Sequence, residues 1–417
     1  MVASGAVPAA PVPTATFRER LLLLVLYITI LASSVAFIEP SPHDGLMLVL
    51  AVACLVAGVR FERQVAVLLL LLLSWNVAGL LTLLNVPGEE KTVQYAGTSV
   101  YLALAGLLFA GLFSTNTLQR LATMRAAYIL TAVLCTLFGL AVYWHFLPRE
   151  DVFTWSGRVR STFKDPNVFG PFMVLPALFL IEEMVTRRIQ LWKLAATFVL
   201  LTGILFSFSR GAWFNYTVST VVLLALLFVT APTPRARLRP IVLAIISAVG
   251  IALLLLLLLS FESVRAMFLE RAQLTQSYDV GEGGRFELQE IALNLLLDHP
   301  FGLGPFVFSN MFGGTQQHNV YLQAFLVYGW LGGISYIMLI LTTLYVGLCN
   351  ALIRSPWQSY AIAACAAFVG IVGESFIIDS DHWRHFFLIL GVIWGSSAAN
   401  SRLANGGAVP APIGVTT

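Results

Sequence analysis

The chain is made of long apolar blocks separated by shorter polar interruptions. Twelve blocks can be drawn, at 21–38, 45–59, 65–86, 95–113, 126–146, 168–186, 191–208, 212–231, 240–260, 320–349, 357–378 and 385–400. Most approach the roughly 20 residues that an α-helix needs to cross a hydrocarbon core about 30 Å thick. A helix satisfies its own backbone N–H and C=O groups, which lipid cannot do for it. The pattern therefore predicts an all-α, polytopic integral membrane protein of about twelve transmembrane helices. The first block follows Arg18 and Arg20 and ends near Ser34, Val35 and Ala36, as a signal peptide would. Its apolar stretch is longer than a usual signal core, so it reads as a retained helix. Residues 1–17 and 401–417 read as disordered tails around a transmembrane domain at 18–400.

One interruption stands apart from the rest. Residues 261–319, between the ninth and tenth blocks, form by far the longest loop, and loops of that length are usually functional or disordered. This one carries a helical repeat. Leu288, Ile291, Ala292, Leu295 and Leu296 fall on one face and Glu287, Glu290, Asn294 and Asp298 on the other. Pro300, Gly302 and Gly304 end the pattern. The expectation is an amphipathic helix over 285–298 lying on the membrane surface.

Composition closes off other classes. With 58% hydrophobic and 11% charged residues and a mean hydropathy of +0.85, the 417 residues leave no room for a separate soluble catalytic domain of normal size. A net charge of +3 is too small to argue for nucleic acid. The cysteines at 54, 135, 349 and 365 lie in apolar runs without CxxC spacing, so neither a disulfide framework nor a zinc site is indicated. With the N-terminus inside, more than half of the 24 Lys and Arg fall in inner segments, among them Arg60, Arg63, Arg120, Arg125, Arg187, Arg188, Arg235, Arg237 and Arg239. That follows the positive-inside rule and puts both termini in the cytoplasm.

The exceptions to that rule carry the candidate chemistry. Most outer positives crowd into three loops: Arg149, Arg158, Arg160 and Lys164 before the sixth block, Arg210 in a tight turn before the eighth, and Arg265, Arg271 and Arg285 in 261–319. Arg210 and Arg285 each stand where a helix begins, Arg285 after Gly281, Gly283 and Gly284. A guanidinium opposes the positive end of the helix dipole, and an anion resolves the conflict. Snorkelling of Arg210 to headgroups, or pairing of Arg285 with Glu282 or Glu287, are the simpler alternatives. His318, in Gln316-Gln317-His318-Asn319 at the start of the tenth block, suits a general base, or else is an interfacial neighbour of an Asn319 helix cap. His382 and His385 with Asp379 and Asp381 form a weak metal-like cluster. Glu182, Glu183 and Glu374 are scarce and lie near span ends, which points away from a proton-coupled pump.

These residues resemble the O-antigen ligase and Wzy-type polysaccharide polymerase superfamily of bacterial envelope glycosyltransferases. The resemblance rests on RSTFKDPNVFGPF at 160–172, FSFSRGAW at 206–213, GGRFELQEIALNLLLDHPFGLG at 283–304 and QQHNVYLQAFLVYGWLGG at 316–333, and covers about 155–350. It implies a glycosyltransferase C-like enzyme of the inner membrane that needs no metal, cofactor or nucleotide sugar and works on the periplasmic face. The donor it implies is a glycan on undecaprenyl pyrophosphate. Arg210 and Arg285 match the residues that hold the pyrophosphate, and His318 the one that activates the acceptor hydroxyl, with inversion at the anomeric carbon. Arg160, Lys164, Asn167, Gln317 and Asn319 are candidate substrate-binding neighbours. An O-antigen ligase, with lipid A core as acceptor, is the first expectation. A polymerase using a second lipid-linked repeat is the alternative, and a twelve-span transporter or glycan flippase the remoter one.

Overall fold

In the computed structural model residues 16–86, 88–273, 279–281 and 283–406 are described. The terminal tails expected from the sequence lie almost wholly outside them. Thr16 and Phe17 already open the first helix, and 401–404 complete the last.

Every apolar block forms a helix. In chain order these are α1 (Phe17–Leu31), α2 (Pro42–Val56), α3 (Val65–Thr82), α4 (Glu90–Ser114) and α5 (Thr117–Tyr143). A one-turn α6 (Glu150–Phe153) precedes the short strands β1 (Thr154–Trp155) and β2 (Arg158–Val159). Then come α7 (Pro166–Phe172), α8 (Val174–Thr186), α9 (Leu191–Phe206), α10 (Arg210–Thr230) and α11 (Pro234–Leu258). The long interruption holds α12 (Glu262–Arg271), α13 (Arg285–Asp298) and α14 (Val307–Met311), and α15 (Val320–Leu352), α16 (Gln358–Glu374) and α17 (Arg384–Ala404) complete the bundle.

The protein is thus an all-α polytopic membrane protein. Among the described residues, eight stretches are long and apolar enough to cross a membrane against the twelve spans expected, and α2, α9 and α16 are shorter apolar helices. Helix α1 has 15 residues and carries Arg18, Glu19 and Arg20 in its first turn. Blocks of apolar sequence mark helices well, but a block's length overstates its helix wherever the chain turns before the apolar run ends.

Small residues set the tightest packing, as is usual where helices meet without a hydrophobic driving force. A Cβ on Gly391 of α17 would lie 2.3 Å from Phe109 Cβ, and one on Gly395 would lie 2.7 Å from Phe113 Cβ, so α17 and α4 meet along a Gly-xxx-Gly stripe. Gly370 of α16 brings that helix against Asn215 and Ser219 of α10 in the same way. Several charges inside the bundle are paired. Arg120 grips Glu19 through two 2.9 Å hydrogen bonds, and Glu183 lies 2.9 Å from Arg125 and 3.1 Å from Lys193.

Helix α13 forms over the residues expected, yet its apolar face is not given to lipid. Leu288, Ala292 and Leu296 are buried against Phe308 and Leu326, the latter from α15. The acidic face is exposed, as expected. The chain after α13 is stitched into α15 where that helix breaks. Gly329 adopts φ 68° and ψ −173°, Trp330 N–H donates to Pro300 O at 2.8 Å, and Leu303 N–H donates to Leu326 O at 2.7 Å. A Cβ at 329 would lie 2.7 Å from the Phe301 carbonyl carbon, so only glycine fits. Through this junction the long interruption is docked beside the start of α15, where His318 lies.

Candidate functional site

Three loop-to-helix junctions converge on one cavity. Ser207, Phe208 and Ser209 make the turn between α9 and α10. Phe208 takes a left-handed φ of 45°, and Ser209 caps α10 by accepting from Ala212 N–H at 3.3 Å. That fixes Arg210 as the first residue of the helix. Asp165 caps α7 by accepting from Asn167 N–H at 2.7 Å, with Pro166 next to the cap, where its missing N–H costs nothing. Asn319 caps α15, accepting from Tyr321 and Leu322 N–H at 3.0 and 3.2 Å. His318 just before it has φ 47°, which turns the chain sharply into the helix.

The cavity has a volume of about 410 Å³, within the range of small-molecule sites. Arg210, Arg285 and His318 all line it, with Asn167, Arg158, Arg271 and Glu374. Arg158 comes from a two-residue hairpin turn in which Ser156 and Gly157 both have positive φ, as the strand twist requires. Its Nε donates to Ser207 O at 2.8 Å and its second terminal nitrogen to Asn167 Oδ1 at 2.7 Å. Four guanidiniums around one space could hold an anion such as phosphate.

Asp279 holds two of those guanidiniums together. Arg210 donates to its Oδ2 at 2.6 Å, and Arg285 lies 3.4 Å from its Oδ1, with 2% of the Asp279 side chain exposed. This differs from the partners weighed in the sequence. Glu287 accepts instead from Gly283 N–H, so that amide is spent within the loop, and Glu282 lies outside the described residues. The glycines before α13 serve the turn itself, since a Cβ on Gly284 would lie 2.9 Å from Gly281 O.

His318 has a carboxylate partner. Its Nδ1 lies 3.4 Å from Asp379 Oδ2, the spacing of a charge pair rather than a formed hydrogen bond. Burial pushes the Asp379 carboxyl above the usual carboxylate range, and His318 offsets part of that rise. An imidazole beside a partly buried carboxylate can take up and pass on a proton.

Other expected neighbours lie elsewhere. Arg160 spends its guanidinium on the carbonyls of Val152, Lys164 and Asp151, and Lys164 pairs with Glu39 at 2.6 Å. Neither lines the cavity. Gln317 is buried between Gln289 and Gln323, and Asn319 serves as the cap. The four residues that looked like a metal cluster separate into different contacts. Asp379 faces His318, His385 is buried between Phe172 and Trp383, and His382 pairs with Asp381 at 2.9 Å. Sequence reasoning missed Asp279 and did not give Arg271 or Glu374 a place in the site. Nothing in the local pattern of any of the three points to a cavity.

The His382–Asp381 pair yields a stability prediction. Burial opposes a charged His382, but Asp381 beside it raises its pKa above the ordinary 6.5. Burial likewise opposes a charged Asp381, yet His382 and Tyr95 bring it below 3.8. A raised histidine contributes stability that is fully present below 6.5 and is lost as pH rises through the folded value. The thermal midpoint of His382→Gln should therefore fall furthest below that of the unaltered protein near pH 6, with the gap closing toward pH 9. A gap that stays constant over that range would show that the pair does not titrate as described.

Residues 195–337 match the family model described as O-antigen ligase. No curated protein matches the chain. The matched region contains Arg210, Arg285 and His318, and Asp279 between them. Over this stretch the chain is similar to the O-antigen ligase family, which supports the resemblance that its motifs carry.

Proposed function

We propose that the chain is a membrane glycosyltransferase of the bacterial inner membrane that moves a glycan from undecaprenyl pyrophosphate to an acceptor hydroxyl on the periplasmic face. The acceptor proposed is lipid A core, which makes the enzyme an O-antigen ligase. The observation that carries this reading is the meeting of Arg210, Arg285 and His318 at one cavity, from three separate junctions of the family domain.

In this reading the arginines hold the donor pyrophosphate. His318 takes the proton of the acceptor hydroxyl as its oxygen forms a bond to the anomeric carbon from the face opposite the leaving group. The bond from that carbon to the phosphate oxygen breaks, and its electron pair leaves on the pyrophosphate. Negative charge grows where the guanidiniums already point, and a partly shielded site makes that stabilisation stronger than it would be in water. Ionised Asp379 stabilises the imidazolium that forms. Neither a metal nor a nucleotide sugar takes part.

The polymerase is the alternative reading. Deleting the gene and examining the glycans separates the two. Lipid-linked polymer that accumulates unattached supports a ligase, and accumulation of single repeats a polymerase. Labelling of single cysteines from outside tests the orientation. Positions 210, 285 and 318 should react and 237 should not, and protection of 285 would sink the enzyme reading in both forms.

A further inference from the structure

The cavity contains one carboxyl for which the proposed chemistry has no use. Glu374 is the last residue of α16, is 0% exposed, and lines the cavity. Its Oε2 accepts from Asn215 Nδ2 at 2.7 Å, and Asn215 Oδ1 accepts in turn from Ser219 Oγ at 3.0 Å. This chain, running back along α10, fixes the plane of the carboxyl. Its other oxygen, Oε1, is buried and has no hydrogen-bond partner among the described residues. A buried acceptor left unmade is costly, so the position calls for a donor supplied from the cavity. Gly211 keeps the space beside it clear, since a Cβ there would lie 2.6 Å from Oε1. The glycine of the Ser-Arg-Gly turn thereby has a physical reason.

The chemistry of the missing donor follows from what surrounds it. Among the described residues lining the cavity, Glu374 is the one acidic side chain, while Arg158, Arg210, Arg271 and Arg285 offer donors alone. A phosphate offers acceptors and suits the arginines, and it repels Oε1 whenever Glu374 is ionised. A sugar hydroxyl or an acetamido N–H is a donor and suits Oε1. Resting on the glycosyltransferase reading, in which the arginines take the pyrophosphate, we propose that Glu374 is a specificity-determining residue. Its Oε1 accepts a hydrogen bond from the sugar joined to the pyrophosphate, and Asn215 is the residue that positions it.

The test uses the purified full chain in lipid nanodiscs and two kinds of probe. One is undecaprenyl pyrophosphate without sugar, and the other is the same lipid carrying glucose, galactose or N-acetylglucosamine. The unaltered protein should bind one of these sugar-bearing lipids about tenfold more tightly than another, the worth of one hydrogen bond, while the bare lipid, which carries an extra negative charge, serves only as the reference for pyrophosphate binding. Glu374→Gln keeps the volume and the contact with Asn215 but turns the open acceptor into a donor. It should erase that preference while binding the bare lipid within about twofold of the unaltered protein, a margin that corresponds to a small fraction of one such bond.

A second measurement does not depend on a variant folding. Removing one particular hydroxyl or acetamido group from the preferred sugar should cost the unaltered protein about tenfold in affinity. Absence of any sugar preference, no loss with any single deletion, or a Glu374→Gln variant equally weakened toward both lipids would each overturn the proposal. If instead neither lipid binds, or Arg210→Ala and Arg285→Ala bind the bare lipid as the unaltered protein does, the glycosyltransferase reading falls and takes this one with it.

Discussion

Alanine at Arg285 is expected to lower glycan transfer by about 10²–10³-fold, the usual loss when one preorganised donor to a developing charge is removed. Arg285 and Arg210 are 17% and 23% exposed, so their guanidiniums act where water screens little. Lysine at 285 should recover only part of the rate, because an ammonium cannot offer the paired donors of the guanidinium fork. Simple truncation has a second effect, since it takes from the buried Asp279 one of two guanidinium partners and leaves it with Arg210. The thermal midpoint reads that loss of stability separately from activity. If lost contact with the donor is what matters, transfer per folded molecule stays low at temperatures well below the midpoint of the variant. The measurement is transfer of a labelled glycan from its undecaprenyl pyrophosphate carrier in nanodiscs. A single Arg285→Ala variant that works within about threefold of the unaltered rate would remove this arginine from the role proposed, since its ceiling contribution would be under 1 kcal/mol.

His318→Ala should cost about 10²–10⁴ in kcat with little change in KM for the donor, which is the mark of a group that acts in proton transfer rather than in holding substrate. Asp379 gives this expectation a pH dependence. Burial raises its carboxyl above the ordinary 3.8, so activity should decline as pH falls through that raised value, where the ionised partner of the imidazolium disappears. Asp379→Asn is neutral at every pH. It should be slower than the unaltered enzyme at neutral pH and should lack the part of the acid decline that Asp379 contributes, leaving the part due to protonation of the base His318 itself. A variant with the whole decline unchanged would show that Asp379 has no share in it.

How much of this could be read beforehand depends on whether a property is local. Hydrophobic blocks and the spacing of Leu288, Ala292 and Leu296 are local, and the helices formed where those patterns lie. The junction residues were also legible, because a guanidinium at the start of a helix is a visible conflict, and Arg210 and Arg285 both meet at the cavity. What settled the conflict was not legible. Asp279 is six residues before Arg285 but 69 positions from Arg210, and the Arg210 contact depends on how the long interruption folds back. Glu374 reads as an isolated acid near a span end until α16 is packed on α10 by Gly370. Arg160 and Lys164 stood close to Asn167 in sequence and were grouped with it. A hairpin between them and α6 turns Arg158 toward Asn167 and leaves Arg160 on backbone carbonyls.

Asp279 has a consequence for turnover. In the resting protein it is the anion between Arg210 and Arg285, so part of the charge of the cradle is already offset before any substrate arrives. Donor binding is then an exchange of one anion for another. After transfer the spent carrier keeps a terminal phosphate and bears more negative charge than the glycosylated lipid, so bare guanidiniums would grip the product harder than the substrate. A carboxylate tethered to the same chain competes at high effective concentration the moment a phosphate oxygen lets go. On the proposed function, Asp279 would act as a built-in eluent for the spent carrier.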